Sequence, residues 1–60
     1  MRKYHIIEVD GKVRRFIDIQ NQANSYGTPK EFTHDEAVHW IDRHTYKGMS
    51  FHYEMEVIKL

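Results

Sequence analysis

The side chains in this chain best suited to chemistry are its five histidines, set among nine aspartates and glutamates. Imidazole and carboxylate together suit metal ligation or general acid–base catalysis. His34, His39 and His44 recur every five residues, which on a helix turns successive rings about 140° apart. A helical chelate needs spacings of three or four, so these three do not share an ion. His5 and His52 could meet across paired strands, but two ligands fall short of the three or four usual for zinc. The sequence contains no cysteine, which excludes thiolate zinc sites and disulfides. The expectation is no metal and no cofactor.

Catalysis has a similar candidate. His39 shares one helix face with Asp35 and Asp42, and a histidine beside carboxylates can act as a general base. No serine, cysteine or lysine nucleophile is placed with them, and so small a domain leaves little room for a water-excluded pocket. A solvated helix face is the simpler reading, and the protein is expected not to be an enzyme.

Two binding chemistries remain. Arg2, Lys3, Lys12, Arg14 and Arg15 concentrate positive charge near the N-terminus, with Phe16 beside them and Tyr26 and Lys30 further on. A basic strand pair with aromatics can follow phosphates and stack bases, so Arg14, Arg15, Phe16, Tyr26 and Lys30 form a candidate nucleic-acid site. Glu8, Asp10 and Asp18 lie in the same stretch and reduce its charge, and the simpler reading is that Arg14 and Arg15 pair across strands with Glu8, Glu54 or Glu56. Nine basic and nine acidic residues cancel overall, so composition argues for neither a general nucleic-acid binder nor a membrane binder. The second chemistry is apolar and depends on how the strands face.

The elements that must position these residues are legible in turn. Thr33-His34-Asp35-Glu36 carries a capping box, with Phe32 and Ala37 placed as a hydrophobic staple, and predicts a helix from about 34 to 46. Its stripe of Ala37, Val38, Trp40, Ile41 and His44 faces the core, and Gly48 is placed to end it. Residues 3–9 and 12–20 read as strands around Asp10-Gly11, a strong hairpin signal. Residues 50–58 alternate apolar and polar and form a third strand, with Phe51, Tyr53, Met55 and Val57 toward the helix. Asn21 to Glu31 reads as a loop of about eleven residues, near the length at which loops tend to be functional.

A two-residue Asp10-Gly11 turn pairs Val9 with Lys12. Tyr4, Ile6, Glu8, Val13, Arg15, Ile17 and Ile19 then share one face, and His5, Ile7, Val9, Arg14 and Phe16 the other. A bulged turn would slip the pairing by one and exchange the faces of one strand. Either way both sides of the sheet carry apolar residues, and one helix covers only one side. The expected architecture is a single α+β domain over 1–60: a three-stranded antiparallel sheet, one helix on one face, order β-β-α-β.

An apolar patch bordered by charges marks an interaction site. His5, Ile7, Val9, Arg14, Phe16, His52, Glu54, Ile58 and Leu60 form the candidate protein-binding surface. A chain of this size buries only about 60% of its unfolded surface, so self-association through that surface would also add stability. In size, strand order and the Asp10-Gly11-Lys12 hairpin the chain resembles small phage-encoded host-inhibitory proteins, among them dimeric inhibitors of uracil-DNA glycosylase. The resemblance covers strand order only and carries no residue across, and those inhibitors are acidic DNA mimics whereas this chain is neutral. The expectation is a homodimeric, non-catalytic protein-interaction module, a phage- or mobile-element-encoded regulator or inhibitor of a host protein. The alternative is a small nucleic-acid-binding protein. No apolar run approaches the ~20 residues of a membrane span, and the basic start lacks a signal-peptide core. A complete short reading frame acting in the cytoplasm is expected.

Overall fold

The computed structural model describes residues 2–59. Its elements are β1 (Tyr4–Asp10), β2 (Val13–Ile17), β3 (Ala23–Asn24), α1 (His34–His44) and β4 (His52–Val57). The strands form one sheet in the order β3-β2-β1-β4, antiparallel throughout. The α+β class with one helix is as expected. The sheet has four strands rather than three, and the chain runs β-β-β-α-β rather than β-β-α-β.

The additional strand comes from Asp18. This residue, 7% exposed, accepts the backbone N–H of Gln20 (2.9 Å) and Gln22 (3.0 Å) and the Asn24 amide (3.4 Å). Asn21 takes the left-handed conformation, φ 62°, inside the turn so formed. Short polar side chains tolerate that region and bond their own backbone. The turn ends β2 at Ile17, earlier than expected, and lays Ala23 and Asn24 beside Ile17 and Phe16. Ile19 falls outside the sheet, 65% exposed. The expected loop is therefore partly strand. Its far end is tied as well, because Lys30 donates to the Ile17 carbonyl at 2.9 Å and Phe32 exchanges two backbone bonds with Tyr4.

The hairpin turns on Gly11 and Lys12 instead of Asp10 and Gly11, pairing Asp10 with Val13. Gly11 has φ +62° and Lys12 does not share it, the type II′ pattern with glycine first. The pairing lies two residues from the expected one. An even shift leaves every side chain on its expected face. Ile6 and Ile17 point to the helix, and Ile7 and Phe16 point away from it.

The helix begins where the capping box places it. The Glu36 N–H donates to Thr33 Oγ1 at 3.2 Å, and the Thr33 N–H donates to Glu36 Oε1 at 2.8 Å. Phe32 and Ala37, the two staple residues, are both buried. The C-terminus comes two residues early. His44 Nδ1 meets the Trp40 carbonyl at 2.7 Å, its ring stacks on Trp40 at 3.7 Å, and Thr45 is already extended. Gly48, with φ +93°, serves the following turn closed by Met49 N–H to the Tyr46 carbonyl, and does not cap the helix.

Ile6, Ile17, Phe32 and Ala37 form the buried centre, with Tyr4, Ala23, Trp40, Ile41, Tyr53 and Met55 packed around it. Trp40 sits edge-on to Tyr53 at 5.0 Å and to Phe32 at 6.3 Å. Val38, expected in the inward stripe, is 47% exposed. Each fully buried isoleucine contributes about 1.5–3 kcal/mol, so this small centre carries much of the fold.

Candidate protein-interaction surface

β1, an inner strand paired on both sides, sets the composition of the uncovered face. Its pairing places Val9 between Arg14 of β2 and His52 of β4, and Ile7 between Phe16 and Glu54. His5 stands opposite Glu56 in the next row, and Asn24 of β3 extends the Ile7 row beyond Phe16. Ile58 continues the β4 side of the face, its N–H bonded to the Lys3 carbonyl at 2.8 Å. His5, Ile7, Val9, Arg14, Phe16, His52, Glu54 and Ile58 thus lie on one surface, as the alternation implies. Leu60 lies outside the described residues.

The polar border is organised. Arg14 reaches across β1 to Glu54 at 3.2 Å and to Glu56 at 3.9 Å, and His52 Nε2 meets the second Glu54 oxygen at 2.9 Å. The His52 bond, more than the Arg14 guanidinium, holds the Glu54 carboxyl below the ordinary carboxylate range. Isoleucine, valine and phenylalanine at the centre are half-buried, while Arg14, His52, Glu54 and Glu56 are exposed. The most exposed large apolar side chains lie elsewhere, at Tyr26, Ile19, Tyr46, Val13 and Val38. The far face is therefore an apolar row partly shaded by its own charged rim.

The residues of the nucleic-acid alternative are dispersed. Arg14 and Phe16 are on the far face, whereas Arg15 is on the helix side, bonded to the buried Glu8. Tyr26 is 82% exposed at the tip of the connection after β3. Lys30 lies over the Phe32 ring, 5.3 Å from its centroid, and bonds Asn21 at 3.1 Å. These five side chains do not make one surface.

The histidines are likewise separated. His5 pairs with Glu56 and His52 with Val9, four residues apart along the sheet or about 13 Å, so the two do not meet as expected. Among the described residues no group of three or more histidines and carboxylates is placed to hold a metal ion. His34 packs edge-on to Tyr4 at 5.6 Å, and His44 stacks on Trp40.

One feature is not legible in the sequence. A groove of about 230 Å³ lies between α1 and residues 30–32, lined by Phe32, Trp40, His39, Arg43 and others. It is on the helix side, away from the uncovered face, and depends on how the 30–32 segment packs. The cross-strand pairs expected of Arg14 and Arg15 are present, Arg14 with Glu54 and Glu56 and Arg15 with Glu8. Alternation put Glu8 and Arg15 on the core face, which was a signal for an ion pair inside the sheet's covered side. No helix among the described residues is long and apolar enough to cross a membrane. Comparison with protein-family models, with curated proteins and with solved structures gives no match.

Proposed function

We propose that this chain is a non-catalytic protein-interaction module that acts as a homodimer and docks on a partner protein through the face around Ile7 and Phe16. The observation that carries the reading is the row Phe16–Ile7 with Val9, assembled on the side of the sheet opposite α1. An apolar centre within a polar, charged rim has the anatomy of a protein interface. Its partner is a complementary surface, apolar at the centre and carrying both signs of charge toward the edge. Regulation or inhibition of a host protein by a phage- or mobile-element-encoded chain is the setting proposed for it.

Ile7→Glu and Phe16→Glu place a charge in the centre of the row without touching the buried Ile6 and Ile17. Affinity capture from the source cell with wild type and both variants tests the face, each variant first matched to wild type by circular dichroism. One defined protein retained by wild type and lost by both variants is the expected result. Equal retention by all three contradicts it.

A further inference from the structure

β4 ends the sheet, and among the described residues no strand pairs with its outer edge. Antiparallel pairing alternates residues whose backbone groups face the neighbour with residues whose groups face away. Ile58 donates to the Lys3 carbonyl, and the register continues through His5–Glu56, Ile7–Glu54 and Val9–His52. His52, Glu54, Glu56 and Ile58 therefore spend their backbone groups on β1. Tyr53, Met55 and Val57 direct theirs outward, where no backbone partner reaches them among the described residues. The other edge is different: β3 is two residues long, and beyond β2 the free groups of Tyr4 are taken by Phe32.

We propose that a second copy of this chain pairs antiparallel with β4 along this edge, joining the two sheets into one. The proposal rests on the homodimer put forward above and assigns its seam to this edge, in place of the far face through which self-association was expected from the sequence. Antiparallel registers of β4 on itself differ in the charges they set face to face. Pairing centred on Met55 would set Glu54 opposite Glu56 of the second copy twice, and like charges directly opposite are destabilising. Pairing centred on Glu54 sets His52 of each copy opposite Glu56 of the other. Glu54 then faces its own counterpart, but each already holds Arg14 at 3.2 Å and His52 at 2.9 Å. On the helix side the same register lays Tyr53 against Met55 and Phe51 against Val57 of the second copy. All four are only half-buried in the single chain, and the pairing covers them. Charges on an edge strand ordinarily discourage pairing; here they disfavour the Met55-centred register, whereas registers centred on Glu54 or on Tyr53 set His52 opposite a glutamate of the second copy and both engage the Tyr53 and Met55 backbone. The joined sheet leaves the Ile7–Phe16 face of both copies free.

Amide hydrogen exchange by NMR, read at a concentration where sedimentation shows the dimer, tests this directly. The Tyr53 and Met55 amides should exchange at least about tenfold more slowly there than on dilution to monomer, while Glu54 and Glu56 stay protected in both. A dimer in which Tyr53 and Met55 exchange as fast as in the monomer overturns the edge seam and leaves self-association standing. A monomer at every concentration overturns both. Met55→Pro removes an outward N–H and spares the β1 ladder. A folded Met55→Pro chain should be monomeric, and a folded dimeric one contradicts the proposal; if that variant fails to fold, the wild-type exchange rates decide.

Discussion

Ile7 and Phe16 stand opposite each other across β1 and β2, on the side of the sheet that α1 does not cover. Their neighbours in the same strands, Ile6 and Ile17, are 0% and 1% exposed on the other side. One helix can bury one set, so the second set remains at the surface. The functional reading grows from that asymmetry.

Ile17→Ala tests how much the small centre carries. Truncating a fully buried isoleucine costs about 2–5 kcal/mol, comparable to the whole stability of so short a domain. Urea titration followed by circular dichroism should show this variant largely unfolded at 25 °C, and Ile7→Ala should stay folded.

Thr33→Ala removes one half of the capping box. The expected loss is about 1 kcal/mol, seen as a lower urea midpoint with an unchanged slope. Thr33→Ser keeps the acceptor oxygen and should recover most of it.

Asp18 makes stability depend on acid pH. The Gln22 N–H, then those of Gln20 and the Asn24 amide, hold its carboxyl below the ordinary range against the opposing effect of burial. The Thr33 N–H and hydroxyl do the same for Glu36. A carboxyl whose folded pKa is depressed favours the fold above its unfolded value, about 4, and loses that contribution as pH falls through the folded value. The melting temperature should therefore hold steady between about pH 7 and 5 and drop below about pH 4. Asp18→Asn should melt lower than wild type at neutral pH, and the two curves should converge in acid.

Tyr53 gives the opposite sign at alkaline pH. Burial raises its phenol above the ordinary value, with Glu8 and Tyr46 adding to the shift. Stability from the neutral phenol is complete below the unfolded value, about 10, and is lost as pH rises through the folded one. Ultraviolet titration of the four tyrosines should show a late phase that disappears in Tyr53→Phe.

Much of this arrangement was legible in the sequence, and the misses have specific causes. The helix start was readable because Thr33, Glu36, Phe32 and Ala37 bond or pack locally. The membership of the uncovered face was readable because strand period is two, so even a hairpin displaced by two residues keeps Ile7 with Phe16. The end of the helix was not, because His44 folding back on Trp40 competes with the glycine signal at Gly48. β3 was missed because its position depends on one carboxylate, Asp18, gathering donors from residues 20, 22 and 24. Arg15 was set apart from Arg14 and Phe16 by the same alternation, whereas the positions of Tyr26 and Lys30 follow the Asp18 turn, which no local pattern announces. The open edge of β4 could be known only once the strand order was.

Sedimentation equilibrium of the wild-type chain between about 1 and 200 μM, where interfaces of modest area begin to associate, tests the central claim most directly. A reversible monomer–dimer equilibrium with the dimer dominant at the upper end is expected. A single monomeric species across the whole range would contradict it.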